Sequence, residues 1–144
     1  MNLYLDTSVL VSCYIAEAQS EAVLAQLAQC SRELIVSQLS EVEFYSAVSM
    51  KVRCKQMSVM QQKAVLELFQ QHLERGHYTK AYLIDDVYQL AKQFLANNSL
   101  KLRTLDALHL ALAQYLDTVL FTADIELAQA AATLKLKYQL PIGH

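Results

Sequence analysis

Four of the chain's 14 acidic residues stand where a solvated surface does not account for them. Asp6 follows the apolar run Leu3-Tyr4-Leu5, and Asp124 follows Val119-Leu120-Phe121-Thr122-Ala123. Asp106 lies inside a stretch, Leu105 to Ala113, that is apolar nearly all round. Such a helix is expected to be buried, where an unpaired charge is expensive. Glu43 lies near the start of a helix after a second apolar run. Each has a local explanation. Asp6 and Asp124 sit where helix caps sit, Glu43 is three residues past Ser40 at capping-box spacing, and Asp106, two past Thr104, suits the helix dipole. Their shared placement points further. Two end strands and two open helices, and in a parallel sheet all such positions face the C-terminal edge, where ligands bind. A pair of carboxylates about 5 Å apart repels by about 3 kcal/mol at an effective dielectric near 20. A divalent cation removes that cost, and all-oxygen ligands without a His or Cys cluster select Mg²⁺ or Mn²⁺ over Zn²⁺.

The remaining acids have ordinary roles. Glu17, Glu21, Glu33, Glu67, Glu74 and Glu126 fall on polar faces or near helix starts. Asp85 and Asp86 stand where a helix begins and read as caps, and Asp117 sits in a turn before a strand.

The elements that must hold the four acids alternate along the chain. Leu3-Tyr4-Leu5, Leu34-Ile35-Val36 and 118–122 read as strands, and 136–142 as an edge strand ending at Pro141. Helices are predicted over 8–16 (capped by Ser8), from Ser20, over 40–55, over 58–75 with a stop at Gly76, from 85 or 86 to Asn97-Asn98, over 104–116 (capped by Thr104) and over 124–132. Residues 78–84 read as extended or irregular. Strands separated by helices imply parallel pairing through crossovers.

Composition agrees. The 144 residues are 54% hydrophobic and 18% charged, enough for a core and too few for two ordinary domains. They include 2 glycines and 1 proline, against roughly 17 in an average chain of this length. That excludes an all-β sandwich or barrel, which needs many tight turns. The expectation is one α/β domain over 1–144. A net charge of −2 excludes a strongly basic nucleic-acid coat. Cys13, Cys30 and Cys54 form no C-x-x-C pair and read as reduced thiols. With no basic leader before an apolar run and no membrane-length apolar stretch, a cytoplasmic location without membrane association is expected.

The motifs resemble the PIN-domain family, and within it the VapC-type ribonuclease toxins of bacterial toxin–antitoxin pairs. Leu5-Asp6-Thr7-Ser8-Val9-Leu10 is similar to the family's opening motif, with Ser8 where Asn is commoner. Residues 37–48 resemble the segment carrying the acidic helix residue, which assigns that role to Glu43 and not Glu41. Residues 102–111, around Thr104-Leu105-Asp106-Ala107, form the most specific stretch. Phe121-Thr122-Ala123-Asp124 resembles the last acidic motif but lacks the basic residue often found beside it.

The resemblance implies a PIN-like parallel sheet of about five strands flanked by helices, and metal-dependent endonucleolytic cleavage of RNA. It implies that Asp6, Glu43, Asp106 and Asp124 hold one or two Mg²⁺ or Mn²⁺ ions that activate water and neutralise phosphoryl oxygens. Asp6 and Asp106 are expected as direct ligands, Glu43 and Asp124 through water or in placing the nucleophile. Thr7, Ser8 and Thr122 are expected to hydrogen-bond behind them. His109, one turn from Asp106, reads as a buried, satisfied histidine rather than a catalytic one. Lys101 and Arg103 are expected near the active edge, where they hold RNA phosphates. The resemblance further implies a cognate antitoxin, bound along helices 40–55 and 58–75 with Tyr45 and Phe69 as anchors, and pairing of the chain as a homodimer. The competing readings are a non-catalytic PIN-like domain that binds RNA or protein, and a phospho-acceptor signalling domain, for which the required late lysine is not convincingly placed.

Overall fold

The computed structural model describes residues 1–142. Among them five strands, β1 (Leu3–Leu5), β2 (Leu34–Ser37), β3 (Thr79–Ala81), β4 (Val119–Phe121) and β5 (Tyr138–Gln139), form one sheet in the order β3-β2-β1-β4-β5. All pairings are parallel, so each connection crosses back through helices. These are α1 (Thr7–Ser12), α2 (Ser20–Ala28), α3 (Gln38–Arg53), α4 (Val59–Glu74), α5 (Asp85–Leu95), α6 (Thr104–Tyr115) and α7 (Ile125–Thr133). The fold is the PIN-like α/β arrangement the motifs imply. No helix among the described residues is long and apolar enough to cross a membrane.

The strands are short and apolar because both faces are covered, and their period of two sorts side chains into two cores. Tyr4, Ile35 and Leu120 point to one face and pack with Val87, Phe94, Leu110, Leu112 and Leu127. Leu3, Leu5, Val36 and Phe121 point to the other and pack with Leu10, Phe44 and Phe69. Leu5 of β1 pairs with Phe121 of β4, so the residues just beyond the two strand ends, Asp6 and Thr122, are neighbours.

Several helix starts differ from expectation, each for a hydrogen-bonding reason. Asp6, not Ser8, caps α1: its carboxylate accepts the Ser8 N–H. Ser37 caps α3 by accepting the Ser40 N–H at 3.0 Å. The helix therefore begins before Ser40, and Glu43 has no capping box to serve. Thr104 is the first residue of α6, and Arg103 is its cap. Asp85 and Asp86 lie in the first turn of α5, whose cap Ile84 has no side-chain bond; their charge suits the dipole but closes no cap. At the other end of α5 the cap is Ala96, with Asn97-Asn98 beyond it. Asp124 caps α7. Residues 79–81, read as extended or irregular, form edge strand β3, where Lys80 pairs with Glu41 at 2.8 Å. A charge on an edge strand discourages pairing with another chain.

The scarcity of glycine has a structural counterpart. Gly76 (φ +77°) ends α4 with its N–H on the Leu73 carbonyl and the His77 N–H on the His72 carbonyl, the Schellman pattern. The same pair of bonds closes α3, α6 and α7, but there Lys55, Asp117 and Lys135 take the left-handed position, with φ of 59°, 53° and 60°.

Candidate active site

The ends of β1 and β4 deliver Asp6, Thr122 and Asp124 to one spot. Asp6 is 5% exposed. Its Oδ1 accepts the Ser8 N–H at 3.2 Å, and its Oδ2 accepts the Ser8 hydroxyl at 2.9 Å and the Thr122 hydroxyl. Thr122 Oγ1 also accepts the Asp124 N–H at 3.0 Å. Asp124 spends Oδ1 on the N–H groups of Glu126 and Leu127. From α6, Asp106 Oδ2 accepts the Arg103 N–H at 3.2 Å, with Arg103 Nε 4.0 Å away. From α3, Glu43 Oε1 accepts the Thr7 hydroxyl at 2.7 Å and the His109 Nε2–H at 2.5 Å.

The four acids line one cavity of about 760 Å³, together with Ser8, Arg103 and His109 and a wall of leucines from α5, α7 and the 95–105 region. Three of the four follow one rule: donors occupy one oxygen, and no described residue donates to the other. Glu43 Oε2, Asp106 Oδ1 and Asp124 Oδ2 are free in this sense. Burial works against the charge on Glu43, but the hydrogen bond and attraction from His109 and the bond from Thr7 outweigh it, so its carboxyl lies below the usual range.

This donor set fits a hard divalent cation in chemistry: oxygen only, with several unspent carboxylate oxygens. It is not closed around one. Among the described residues, no three His, Cys, Asp or Glu side chains come close enough together to hold an ion.

The structure sorts the other sequence candidates. Thr7, Ser8 and Thr122 each give a hydroxyl to one of the four acids. Glu41 is turned to Lys80 at the β3 edge. Arg103 reaches the cavity with a highly exposed side chain, whereas Lys101 lines a neighbouring groove beside Ser99, Glu126 and Thr133. Phe69 is fully buried in the core and is unavailable as a docking anchor. Tyr45 is partly exposed, its hydroxyl accepting from Gln70 at 2.9 Å. His109 is 3% exposed, yet it touches Glu43. Tyr4 and Ser37, behind it, were not among the sequence candidates. A tyrosine in a three-residue buried strand is the signal, because its hydroxyl must find a partner inside.

The comparisons with known proteins agree with this architecture. No curated protein matches the chain in sequence. FitAcB from Neisseria gonorrhoeae superposes with a TM-score of 0.74 at 16% identity, over 96% of this chain and 97% of that one. VapC20 from Mycobacterium tuberculosis, described as a sarcin-ricin loop cleaving toxin, gives 0.70 at 13% identity over 90% and 95%. A toxin–antitoxin complex from Klebsiella pneumoniae gives 0.63 at 15% over 86% and 87%. Identities this low speak for the fold alone. The PIN domain model, however, matches residues 3–133, a span running from β1 through α7 and holding all four acids, so the chain belongs to the PIN domain family.

Proposed function

We propose that the protein is a metal-dependent endoribonuclease of the toxin type. One observation carries the reading: four carboxylates from four separate elements line a single cavity at the C-terminal edge of the sheet. A binding module has no need of four acids that repel one another. Asp6, Glu43, Asp106 and Asp124 would hold Mg²⁺ or Mn²⁺. Such an ion, when bound, acidifies water and offsets the charge of the phosphoryl oxygens. The chain's own groups do the rest. The Ser8 and Thr122 hydroxyls fix Asp6, Glu43 Oε2 and Asp124 Oδ2 are acceptors for a water in the cavity, and the Arg103 guanidinium at the rim pairs with a phosphate of the RNA. Attack of that water on phosphorus forms one P–O bond as the bond to the leaving sugar oxygen breaks; the water gives up a proton to a carboxylate acceptor in the cavity, and the leaving oxygen takes one up from solvent.

The test is Asp106→Asn. The amide is nearly isosteric and keeps the acceptor for the Arg103 N–H, so the variant folds while losing RNA cleavage and growth arrest of its host. Cleavage above a tenth of the wild-type rate removes Asp106 from the role. A second reading, a PIN domain that binds without cleaving, is favoured by the open arrangement of the acids; it predicts RNA binding unchanged by Asp106→Asn and by Mn²⁺.

The solved toxin–antitoxin complex of the same fold supports an antitoxin as the regulator. Val42, Tyr45, Val59 and Met60 leave exposed apolar surface on α3 and α4, suited to a partner helix, with Tyr45 as the anchor. We also propose, from the family resemblance, that the chain pairs with a second copy of itself, and from its sequence that it acts in the cytoplasm of its host. Co-expression with the adjacent small reading frame, with a tag on this chain, should recover a complex. A lone monomer by light scattering contradicts both partner assignments.

A further inference from the structure

The buried histidine at the cavity has a task that the four acids do not explain. His109 Nε2 lies 2.5 Å from Glu43 Oε1, and its Nδ1 lies 2.6 Å from the hydroxyl of Tyr4. Tyr4 is fully buried. Its hydroxyl is also 2.8 Å from Ser37 Oγ, the group that caps α3, and α3 carries Glu43. A carboxylate oxygen only accepts, so Nε2 must carry the proton toward Glu43. Tyr4, set in β1 beneath Asp6, fixes the orientation of the ring from behind. Thr7 supplies a second donor to the same Oε1 at 2.7 Å. Oε1 is thus occupied by donors from α1 and α6, while no described residue donates to Oε2.

We propose that Tyr4 and His109 are positioning residues for Glu43. They lock its carboxylate so that Oε1 is spent inside the protein and Oε2 alone faces the cavity. Glu43 then contributes to a cation or a water through one oxygen and never as a chelating pair. The pair also joins β1, which ends just before Asp6, to α3 and α6, which bear Glu43 and Asp106, in one hydrogen-bonded unit. The proposal deepens the ribonuclease reading and rests on it for the identity of what Oε2 meets. The bond pattern itself is independent of that reading.

The experiment uses the full chain, Mn²⁺ binding by calorimetry, and ring-nitrogen NMR of His109 in the metal-free protein. The expected ring carries its proton on Nε2, and Mg²⁺ shifts that proton's resonance. His109→Leu should weaken Mn²⁺ binding by about tenfold or more, the usual effect of removing a partner behind a ligand. His109→Gln, whose amide again donates toward Glu43, should recover binding to within about threefold of wild type. A purely packing role for His109 would not show that rescue. Tyr4→Phe keeps the ring in the core and removes only the hydroxyl, so it serves if His109→Leu fails to fold; it should weaken Mn²⁺ several-fold. A neutral ring with its proton on Nδ1 overturns the proposal. So does unchanged Mn²⁺ affinity in His109→Leu or Tyr4→Phe while Asp106→Asn weakens it. If neither wild type nor any variant binds Mn²⁺ or cleaves RNA, the ribonuclease reading fails, and the ring proton still decides whether His109 orients Glu43.

Discussion

Thr122 does more in this site than its size suggests. Fully buried, it donates to Asp6 and accepts from the backbone of Asp124. Thr122→Val keeps the shape and deletes the hydroxyl, leaving a buried carboxylate short of a donor and an N–H without its acceptor. The expected loss is about 1–3 kcal/mol, read from the shift in urea midpoint, and Thr122→Ser should restore most of it. A loss under about 0.5 kcal/mol, the range of an ordinary surface change, would show that the bond adds nothing. The same logic explains why Ser8 serves where related motifs carry Asn: its hydroxyl donates to Asp6 and accepts the Ala123 N–H at 3.0 Å, linking the ends of β1 and β4.

At the level of elements, the helix ends hold unused stability. Lys55 and Lys135 occupy left-handed positions that glycine takes without strain. Neither contributes to the acidic cavity. Lys55→Gly and Lys135→Gly should each stabilise by about 0.5–1 kcal/mol, the steric relief exceeding the added flexibility of the unfolded chain. Gly76→Ala is the converse. A methyl there meets nothing within 4 Å, so its cost, about 1 kcal/mol, is conformational alone. Thermal melts of the three variants check both signs, and a destabilised Lys135→Gly would show that the lysine side chain matters more than its backbone.

Over the whole molecule, two linkages follow. A cation held only by the folded site raises Tm; at a hundredfold excess over Kd the gain is about 2.7 kcal/mol. Asp6→Asn with Asp106→Asn should erase the response, Asn keeping the α1 cap. A metal-induced shift surviving that pair places the ion elsewhere. The second linkage is alkaline. Burial pushes the Cys13 thiol up to about 12 and Tyr78 up to about 12. It raises Tyr4 and Tyr14 well above the tyrosine range, with nearby Tyr78 adding to the rise at Tyr14. The folded state therefore keeps protons that the unfolded chain releases from about pH 9–10. The stability these groups contribute is complete below that range and is lost as pH rises toward about 12. Denaturation midpoints should fall steadily over that window, and Tyr4→Phe should reduce the slope.

Much of this protein is legible in its sequence alone. Short, continuously apolar strand runs alternating with helices, the four misplaced acids and the near absence of glycine and proline pointed to a parallel α/β sheet with chemistry at one edge, because apolar patterning is a local property of the chain. The family resemblance implied the acidic role for Glu43 rather than Glu41, and in the structure Glu41 pairs with Lys80. What the tertiary structure alone decided are contacts between residues far apart in sequence. Thr122 meets Asp6 across 116 positions, His109 meets Glu43 across 66 and Tyr4 meets His109 across 105. Which serine caps a helix, which carboxylate oxygen remains free, that Phe69 is interior and that Arg103 but not Lys101 reaches the cavity all depend on where neighbouring elements place their donors and walls. A hydrogen bond is decided within a few tenths of an ångström, a precision that sequence spacing does not carry and a packed core does.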